Sequence, residues 1–440
     1  MSSASSAGTA PVGPSLPAQL VEPLVDGVTW GSLRHLHLHM LVDLRRTFSR
    51  VALEEAAGAV LAAFPVLGCR YRRSWWRDRW VPARVEIADL VLVKAVAEQE
   101  IDEATRAWVD QPYDPVSEPP FRVAFFEQPR GGRLVISVHH MLADGAGALA
   151  VAHLLTAHLA GVAPRKPVSR ERSFLQVARG LRCGDLPLLL TELVREGLQP
   201  LTILRVRRRD RRILPGSRGR SSPHWRTLEL SEERARRFAD RCKAAGATIN
   251  DGLVAAIAGV AAGYTGHGPV AAGYTIDTRR YLAVPSLVVA NLAGVALVVL
   301  PRRSLREGGS ALAAAARACR SQKRRLPGLA LNLLTILLLG WLPHGLIRRC
   351  GGGVLGVLRS YLERALAVTN IGSLDADLAP LGDDVVRASV LGPFLGGISA
   401  PILTVTGFRG SLTLHACDGS GLDGAGLESY LGRIERALFT

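Results

Sequence analysis

The alternation of apolar and polar residues predicts a β-hairpin that leads into a helix in the first half of the chain. Residues 121–127 and 133–138 are rich in β-branched and aliphatic side chains, and Pro-Arg-Gly-Gly lies between them. The Ala- and Leu-rich residues 146–160 are predicted to form the helix. Four chemically distinctive residues fall in or beside the strand-to-helix turn: His139, His140, Asp144 and Gly145.

A second alternating segment, residues 33–44, interleaves leucine with His35, His37 and His39. This period predicts a half-buried strand with three imidazoles on one face. No carboxylate or cysteine completes a metal-ligand set nearby, so we expect a polar face beside a substrate channel and no metal site. Residues 51–73 then predict a helix that stops at a proline, followed by a strand.

The turn residues are suited to acid–base chemistry. Side chains alternate along a strand, so His139 and His140 are expected to point to opposite faces, and only one of them can serve a given cavity. A neutral imidazole is the usual group for removing a proton from an attacking hydroxyl or amine. Asp144 would cap the helix or pair with an arginine, and Gly145 would give the turn backbone freedom. The alternative is that both histidines are core residues and Asp144 is only a cap.

The composition of the chain indicates what class of protein it is. The 440 residues are 48% hydrophobic and 21% charged, which predicts a sizeable core and two subdomains. The first twenty residues are rich in Ser, Ala, Pro and Gly and lack the features of a secretory signal, so we expect a disordered tail and a cytoplasmic protein. Six scattered cysteines without CxxC spacing argue against a zinc site or a disulfide framework.

The chain is strongly basic, with 54 Lys and Arg against 38 Asp and Glu and a formal net charge of +16. Residues 205–220 hold eight arginines and one aspartate. Such a run would attract an acidic protein, a phosphate-bearing ligand or an anionic membrane, whereas the lack of interleaved aromatics argues against nucleic acid. The alternative is a solvated linker.

Two further segments have more than one interpretation. Residues 326–347 contain no Asp, Glu, Lys or Arg, but Pro327 and Pro343 leave only fifteen residues between them, too few for a straight membrane crossing. A buried helix and shallow insertion into a membrane face both remain open. Trp75, Trp76 and Trp80, set among arginines, predict a surface hairpin or an interfacial belt.

Residues 139–145, His-His-Met-Leu-Ala-Asp-Gly, resemble the HHxxxDG signature of a superfamily of acyltransferases. Its members include chloramphenicol acetyltransferase, nonribosomal peptide condensation domains, polyketide-associated acyltransferases and wax ester synthase/diacylglycerol acyltransferases. The resemblance implies an α/β fold of two chloramphenicol acetyltransferase-like subdomains, each a mixed sheet flanked by helices, with a channel between them. It also implies that His140 is the general base and that Asp144 is mainly structural.

Other segments resemble the same superfamily. They are Glu118 to Val123 before the histidine strand, Tyr274 to Arg280 (YTIDTRR), Asn291 to Gly294, and Val368 to Gly372 (VTNIG). The resemblance implies that Asn291, Thr369 and Asn370 bind substrate.

The sequence also departs from the superfamily pattern. Phe64 and Gly68 stand where His and Arg are often found, and in condensation domains that arginine is thought to pair with the motif aspartate. Arg70 and Arg72 share the strand face of Gly68, so either is expected to reach Asp144 instead.

The sequence therefore predicts a disordered tail at 1–20, an N-terminal subdomain at 21–180 carrying the motif, a basic crossover linker at 181–224 and a C-terminal subdomain at 225–440. The predicted activity is acyl transfer from a coenzyme A or acyl carrier protein thioester, as co-substrate, to a hydroxyl of a small molecule or lipid, with no cofactor. An amide-forming condensation enzyme and an inactive carrier-protein-binding scaffold are the alternatives. Predicted partners include an acidic carrier protein and a peripheral membrane contact.

Overall fold

Two mixed β-sheets, one built mainly from each half of the chain, organise the protein. The computed structural model describes residues 14–28, 33–204, 224–264, 268–305, 308–323, 326, 328–350, 365–394, 401–418 and 422–440. Within these, the first sheet has five strands and the second has six. Each contains parallel and antiparallel neighbours, which confirms the predicted α/β class with mixed sheets flanked by helices.

The strands are β1 (Leu16–Pro17), β2 (His37–Leu44), β3 (Cys69–Arg72), β4 (Arg79–Pro82), β5 (Val91–Ala95), β6 (Phe121–Gln128), β7 (Gly131–His139), β8 (Val168–Ser169), β9 (His224–Leu230), β10 (Val270–Asp277), β11 (Leu287–Val288), β12 (Ala293–Leu300), β13 (Ala365–Ser373), β14 (Val385–Leu391), β15 (Ile402–Phe408) and β16 (Ser411–Asp418). The first sheet has the strand order β14-β2-β7-β6-β5 and the second β12-β10-β13-β15-β16-β9.

The helices are α1 (Val21–Val28), α2 (Arg50–Ala63), α3 (Ile87–Leu90), α4 (Ile101–Asp110), α5 (Gly145–Leu159), α6 (Leu175–Arg179), α7 (Leu186–Leu204), α8 (Glu232–Ala244), α9 (Ile249–Tyr264), α10 (Gly308–Lys323), α11 (Ala330–Leu339), α12 (His344–Cys350), α13 (Asp375–Leu378) and α14 (Gly424–Phe439).

The predicted hairpin and helix around the two histidines are confirmed. Strands β6 and β7 pair antiparallel from Phe121 opposite Val138 to Gln128 opposite Gly131. The second strand runs one residue further than predicted, to His139. Helix α5 begins at Gly145 because the Asp144 carboxylate accepts the Gly147 N–H at 2.8 Å and so caps the first turn.

Both faces of the first sheet are covered. Leu38, Met40 and Val42 of β2 are buried in the apolar cluster that also contains residues of α2 and α5. The opposite face carries His37 and His39, which are also buried. The prediction that His35 shares this strand is wrong, because it lies in a 3₁₀ turn at Leu33–His35.

The second half of the chain contributes a strand to the first sheet. Strand β14 pairs antiparallel with β2, from Val385 opposite Leu44 to Leu391 opposite His39. The predicted subdomain boundary at residue 225 therefore separates most residues of the two sheets. Strand β14 is the exception, because it follows the boundary in sequence but belongs to the first sheet.

The predicted tail is more ordered than expected over its described part, residues 14–20. Leu16 and Pro17 pair with β4, so the prediction of disorder is wrong for residues 14–20; residues 1–13 lie outside the described part of the chain. Helix α7 occupies Leu186–Leu204 of the predicted linker. The arginine run at 205–220 also lies outside the described residues.

The apolar segment 326–347 forms a broken helix. Among the described residues, no single helix has the length and apolar character needed to cross a membrane. Residues Asn332–Leu339 and His344–Cys350 form a pair bent by 115°. Leu329 and Leu333 are buried, whereas Leu337, Leu338 and Trp341 are exposed, so the segment is buried on one side only.

Candidate active site

The two adjacent histidines have different surroundings. His139 is the last residue of β7 and is fully buried, with its ring centroid 4.8 Å from that of His37 on the neighbouring strand. His140 begins the turn, is half-buried, and is held by a bond from its own N–H to the Leu36 carbonyl at 2.7 Å. His139 is therefore part of the packed polar face of the sheet, while His140 belongs to the turn.

Hydrogen bonds fix opposite tautomers on the two rings. Nδ1 of His139 accepts the backbone N–H of Met141 at 3.1 Å, so its proton is on Nε2. Nδ1 of His140 lies 2.8 Å from the carbonyl oxygen of Ala143, which can only accept. His140 must therefore carry its proton on Nδ1, and in the neutral ring the basic lone pair is on Nε2.

The surroundings of His140 favour its neutral form. Removal from water lowers the pKa of its imidazole below the ordinary 6.5, while the bond to Ala143 and the charge of Asp144 oppose that shift. A ring that is neutral near pH 7 can accept a proton, which is what a general base requires.

Asp144 is a brace in contact with both halves of the chain. Its carboxylate caps α5, accepts the Leu292 N–H at 2.8 Å, and pairs with the Arg279 guanidinium at 2.9 Å. Both carboxylate oxygens are occupied and the residue is 3% exposed. These contacts brace the turn; the mainly structural role that the resemblance implies for Asp144 stays a prediction.

The predicted arginine partners of Asp144 are wrong. Arg70 and Arg72 are exposed on β3, whereas Arg279 follows β10 in the second half of the chain. Arg279 was missed as a site residue, although it lies in the YTIDTRR segment that resembles the superfamily. The Gly68 departure therefore does not leave Asp144 without an arginine.

Gly145 serves close packing rather than backbone freedom. It is the first residue of α5, and its φ lies outside the left-handed region, so the prediction of a special backbone conformation is wrong. A Cβ at this position would meet the Ile371 side chain at 3.3 Å. The absence of a side chain lets β13 approach the turn.

Asn291 supports the backbone of the histidine turn. Its side-chain amide donates to the carbonyl oxygens of His140 at 2.8 Å and Met141 at 2.7 Å. The neighbouring Ala290 carbonyl accepts the Asp144 N–H at 3.3 Å. The segment before β12 thus positions the turn from the opposite half of the chain; substrate contact by Asn291 stays a prediction.

Thr369 and Asn370 lie on β13 directly before Ile371 and are half-buried. Oδ1 of Asn370 accepts the Gly372 N–H at 3.1 Å, where the pairing with β15 shifts register. Because Ile371 packs at Gly145, the structure brings this strand end to the histidine turn. Substrate binding by Thr369 and Asn370 stays a prediction.

The histidines of β2 form a buried polar layer. Nδ1 of His39 lies 2.9 Å from the Ser137 hydroxyl, and burial, with Arg122 and His35 nearby, lowers the pKa of His39 to about 3. Within the described residues, no three His, Cys, Asp or Glu side chains come together as a metal-binding group.

A polar cavity of about 260 Å³ lies between the two sheets. It is lined by Asp43 of β2, Arg133 of β7, Trp225 of β9 and His415 of β16, among others. These residues lie toward the end of β2 remote from the pairing of His37 with His139. The predicted channel at His140 stays a prediction.

Comparisons with solved structures identify the fold. The chain superposes on TRI3 trichothecene 15-O-acetyltransferase from Fusarium sporotrichioides with a TM-score of 0.70 and 13% identity, covering 96% of this chain and 95% of that one. It matches polyketide synthase associated protein 5 from Mycobacterium tuberculosis with a TM-score of 0.62 and 16% identity, covering 97% and 98%. The first condensation domain of the CDA synthetase gives 0.65 and 16%, covering 97% and 96%.

The chain therefore shares its fold with an acetyltransferase, a polyketide synthase associated protein and a condensation domain, which confirms the two-subdomain α/β fold implied by the HHxxxDG resemblance. No family model matches the sequence, and a search of curated proteins finds no match. At these identities the similarity defines the fold, so the activity has to be argued from the site.

Proposed function

We propose that the protein is an acyltransferase that moves an acyl group from a coenzyme A or acyl carrier protein thioester to a hydroxyl acceptor. The observation that carries this proposal is the bond from His140 Nδ1 to the Ala143 carbonyl, which leaves Nε2 as the basic atom. The names of the structural neighbours, which include an O-acetyltransferase, support the same class of reaction.

His140 Nε2 accepts the proton of the acceptor hydroxyl as its oxygen attacks the thioester carbonyl carbon. The tetrahedral intermediate then collapses, the C–S bond breaks, and the imidazolium returns the proton to the departing sulfur. General-base catalysis of this kind contributes about 100- to 10,000-fold. The rest of the acceleration comes from holding both substrates in line and excluding water, which keeps transfer ahead of hydrolysis.

The other polar groups of the turn are positioning residues. Asp144 has both oxygens engaged, and Asn291 holds the carbonyls of His140 and Met141. They fix the direction of the imidazole, so their substitution acts on turnover through His140.

The test is to incubate the purified protein with acyl-CoA donors of several chain lengths and a panel of hydroxyl and amine acceptors. The products are identified by mass spectrometry. His140→Ala is expected to lower turnover by about 100- to 10,000-fold without changing the circular dichroism spectrum. The matched control is His158→Ala, an exposed histidine near the end of α5. The wild-type activity is expected to fall only below pH 6.5, because the pKa of His140 is lowered.

Near wild-type turnover by His140→Ala would show that His140 is not the general base. Amide products alone would point to a condensation enzyme. Failure of every donor and acceptor pair, together with binding to an acyl carrier protein, would point to the scaffold alternative.

A further inference from the structure

Five large apolar side chains are exposed on one joined surface, here called the aromatic patch: Trp75, Trp76, Leu337, Leu338 and Trp341. Trp76 is 68% exposed and Trp341 70% exposed, values unusual for tryptophan. Two of the residues lie between β3 and β4, and three lie at the end of α11 and just after it. Clustered exposed apolar groups mark interaction surfaces.

Backbone hydrogen bonds hold the two parts of the patch together. The N–H of His344 donates to the Trp76 carbonyl at 3.0 Å, and the N–H of Gly345 donates to the Trp75 carbonyl at 2.8 Å. The Arg77 guanidinium donates to the carbonyl of Gly340 at 2.8 Å. The hairpin tip and the break between α11 and α12 therefore form one fixed surface.

The charge around the patch is positive. Arg72 and Arg349 are exposed, and the Arg349 guanidinium lies 5.3 Å from the centre of the Trp75 ring. Two carboxylates of this region, Asp26 and Asp78, are buried and face Arg73 and Arg348 respectively. Cations thus reach the surface beside the tryptophans, while these carboxylates do not.

An adjacent helix exposes apolar side chains as well. Helix α7 packs against α11 and leaves Leu186, Leu190 and Val194 exposed, at positions i, i+4 and i+8 of one helical face. The exposed apolar surface therefore involves two packed helices as well as a hairpin tip.

We propose that the aromatic patch docks the protein on an anionic lipid bilayer, with Trp76 and Trp341 inserted at the level of the headgroups. Tryptophan favours this interface because its ring is amphipathic, and an arginine near an anionic surface adds attraction. The formal net charge of +16 acts in the same direction. The docking is peripheral, with α11 lying on the membrane.

The buried side of α11 packs against the segment around Asn291, which holds the backbone of the histidine turn. Leu329 and Leu333 belong to the buried cluster that contains Ala290 and Leu292, the residues on either side of Asn291. The Asn332 amide also donates to the Ala293 carbonyl at 3.3 Å. Helix α11 thus carries part of the aromatic patch on its exposed side and contacts the segment that positions His140 on its buried side.

The experiment is flotation of the full-length protein with vesicles of phosphatidylcholine mixed with phosphatidylglycerol, and with vesicles of phosphatidylcholine alone. The wild-type protein is expected to float with the anionic vesicles and to be released by added salt. The double variant Trp76→Ser with Trp341→Ser is expected to lower the partition coefficient by about ten-fold or more.

Matched variants separate the patch from general hydrophobicity and charge. Val386→Ser removes an exposed apolar side chain on β14, outside the elements that carry the patch, and is expected to leave binding unchanged. Arg72→Glu with Arg349→Glu is expected to weaken binding by about 25-fold or more, because two cations are removed and each cation near an anionic surface contributes about five-fold. Arg236→Glu with Arg237→Glu, at two exposed positions on α8, makes the same change of charge on an element outside the patch and is the control for it.

Absence of flotation with anionic vesicles would overturn the proposal, as would full binding by the double tryptophan variant with a wild-type circular dichroism spectrum. If Arg236→Glu with Arg237→Glu lost as much binding as Arg72→Glu with Arg349→Glu, net charge alone would account for the binding and the docking proposal would fail. A lipid-free dimer that the tryptophan substitutions convert to monomer would assign the patch to a second copy of the chain. Binding to an acidic carrier protein, lost in the same variant, would assign it to that partner. None of these outcomes depends on catalytic activity.

Discussion

The ion pair between Asp144 and Arg279 joins the two halves of the chain beside the histidine turn, and its removal gives the sharpest test of the site. The proposed change is Asp144→Ala. It deletes the cap of α5, the acceptor of the Leu292 N–H and the charge that faces Arg279. Both partners are buried, with side-chain exposures of 4% and 11%.

The expected cost follows from that burial. Removing one member of a buried ion pair costs about 3–5 kcal/mol, because the other charge is left in a poorly solvated place. Loss of the helix cap adds about 1 kcal/mol. We therefore expect Asp144→Ala to lower the free energy of unfolding by about 4–6 kcal/mol, a large share of the about 5–15 kcal/mol of a whole domain. Asp144→Asn keeps an acceptor for the cap and is expected to lose less.

A matched control exists because Asp277 pairs with the same guanidinium. Its Oδ1 lies 3.2 Å from Arg279 Nη1, but its side chain is 51% exposed. Asp277→Ala is therefore expected to cost about 1 kcal/mol or less.

Urea unfolding monitored by circular dichroism and tryptophan fluorescence measures all three variants. An Asp144→Ala protein within about 1 kcal/mol of wild type, or equal to Asp277→Ala, would refute the bracing role.

Two further predictions concern stability. Burial lowers the pKa of His39 and of His415 to about 3, so below pH 6.5 the unfolded chain binds protons that the folded protein does not. The free energy of unfolding is expected to fall with decreasing pH by about 1.4 kcal/mol per unit for each histidine, as measured by urea unfolding from about pH 6.5 to about pH 5. Gly294→Ala would place a Cβ 2.4 Å from the Gly328 Cα and is expected to cost about 1–3 kcal/mol, whereas Gly273→Ala, with its nearest neighbour at 3.8 Å, is expected to be tolerated.

Each of these two predictions has an outcome that would contradict it. The same pH slope after both histidines are replaced by glutamine would show that they do not stay neutral in the folded protein. Equal thermal midpoints for the two glycine variants would show that the backbone facing Gly294 moves aside without cost.

The sequence by itself determined the local framework of the site. The β-branched runs before the two histidines and the Ala-rich run after them specify β6, β7 and α5, because periodicity and capping act over a few residues. Residues 139–145, which match the HHxxxDG signature, predicted His140 as the general base. These features need no knowledge of distant parts of the chain.

The tertiary structure decided which distant groups complete that framework. The partner of Asp144 is Arg279 rather than Arg70 or Arg72, because the end of β10 is folded against the turn. Asn291 holds the His140 carbonyl for the same reason. Such contacts join residues more than a hundred positions apart, and several strands could supply them equally well by sequence pattern. Only the order of strands in the two sheets, including β14 beside β2, selects the one that reaches the site.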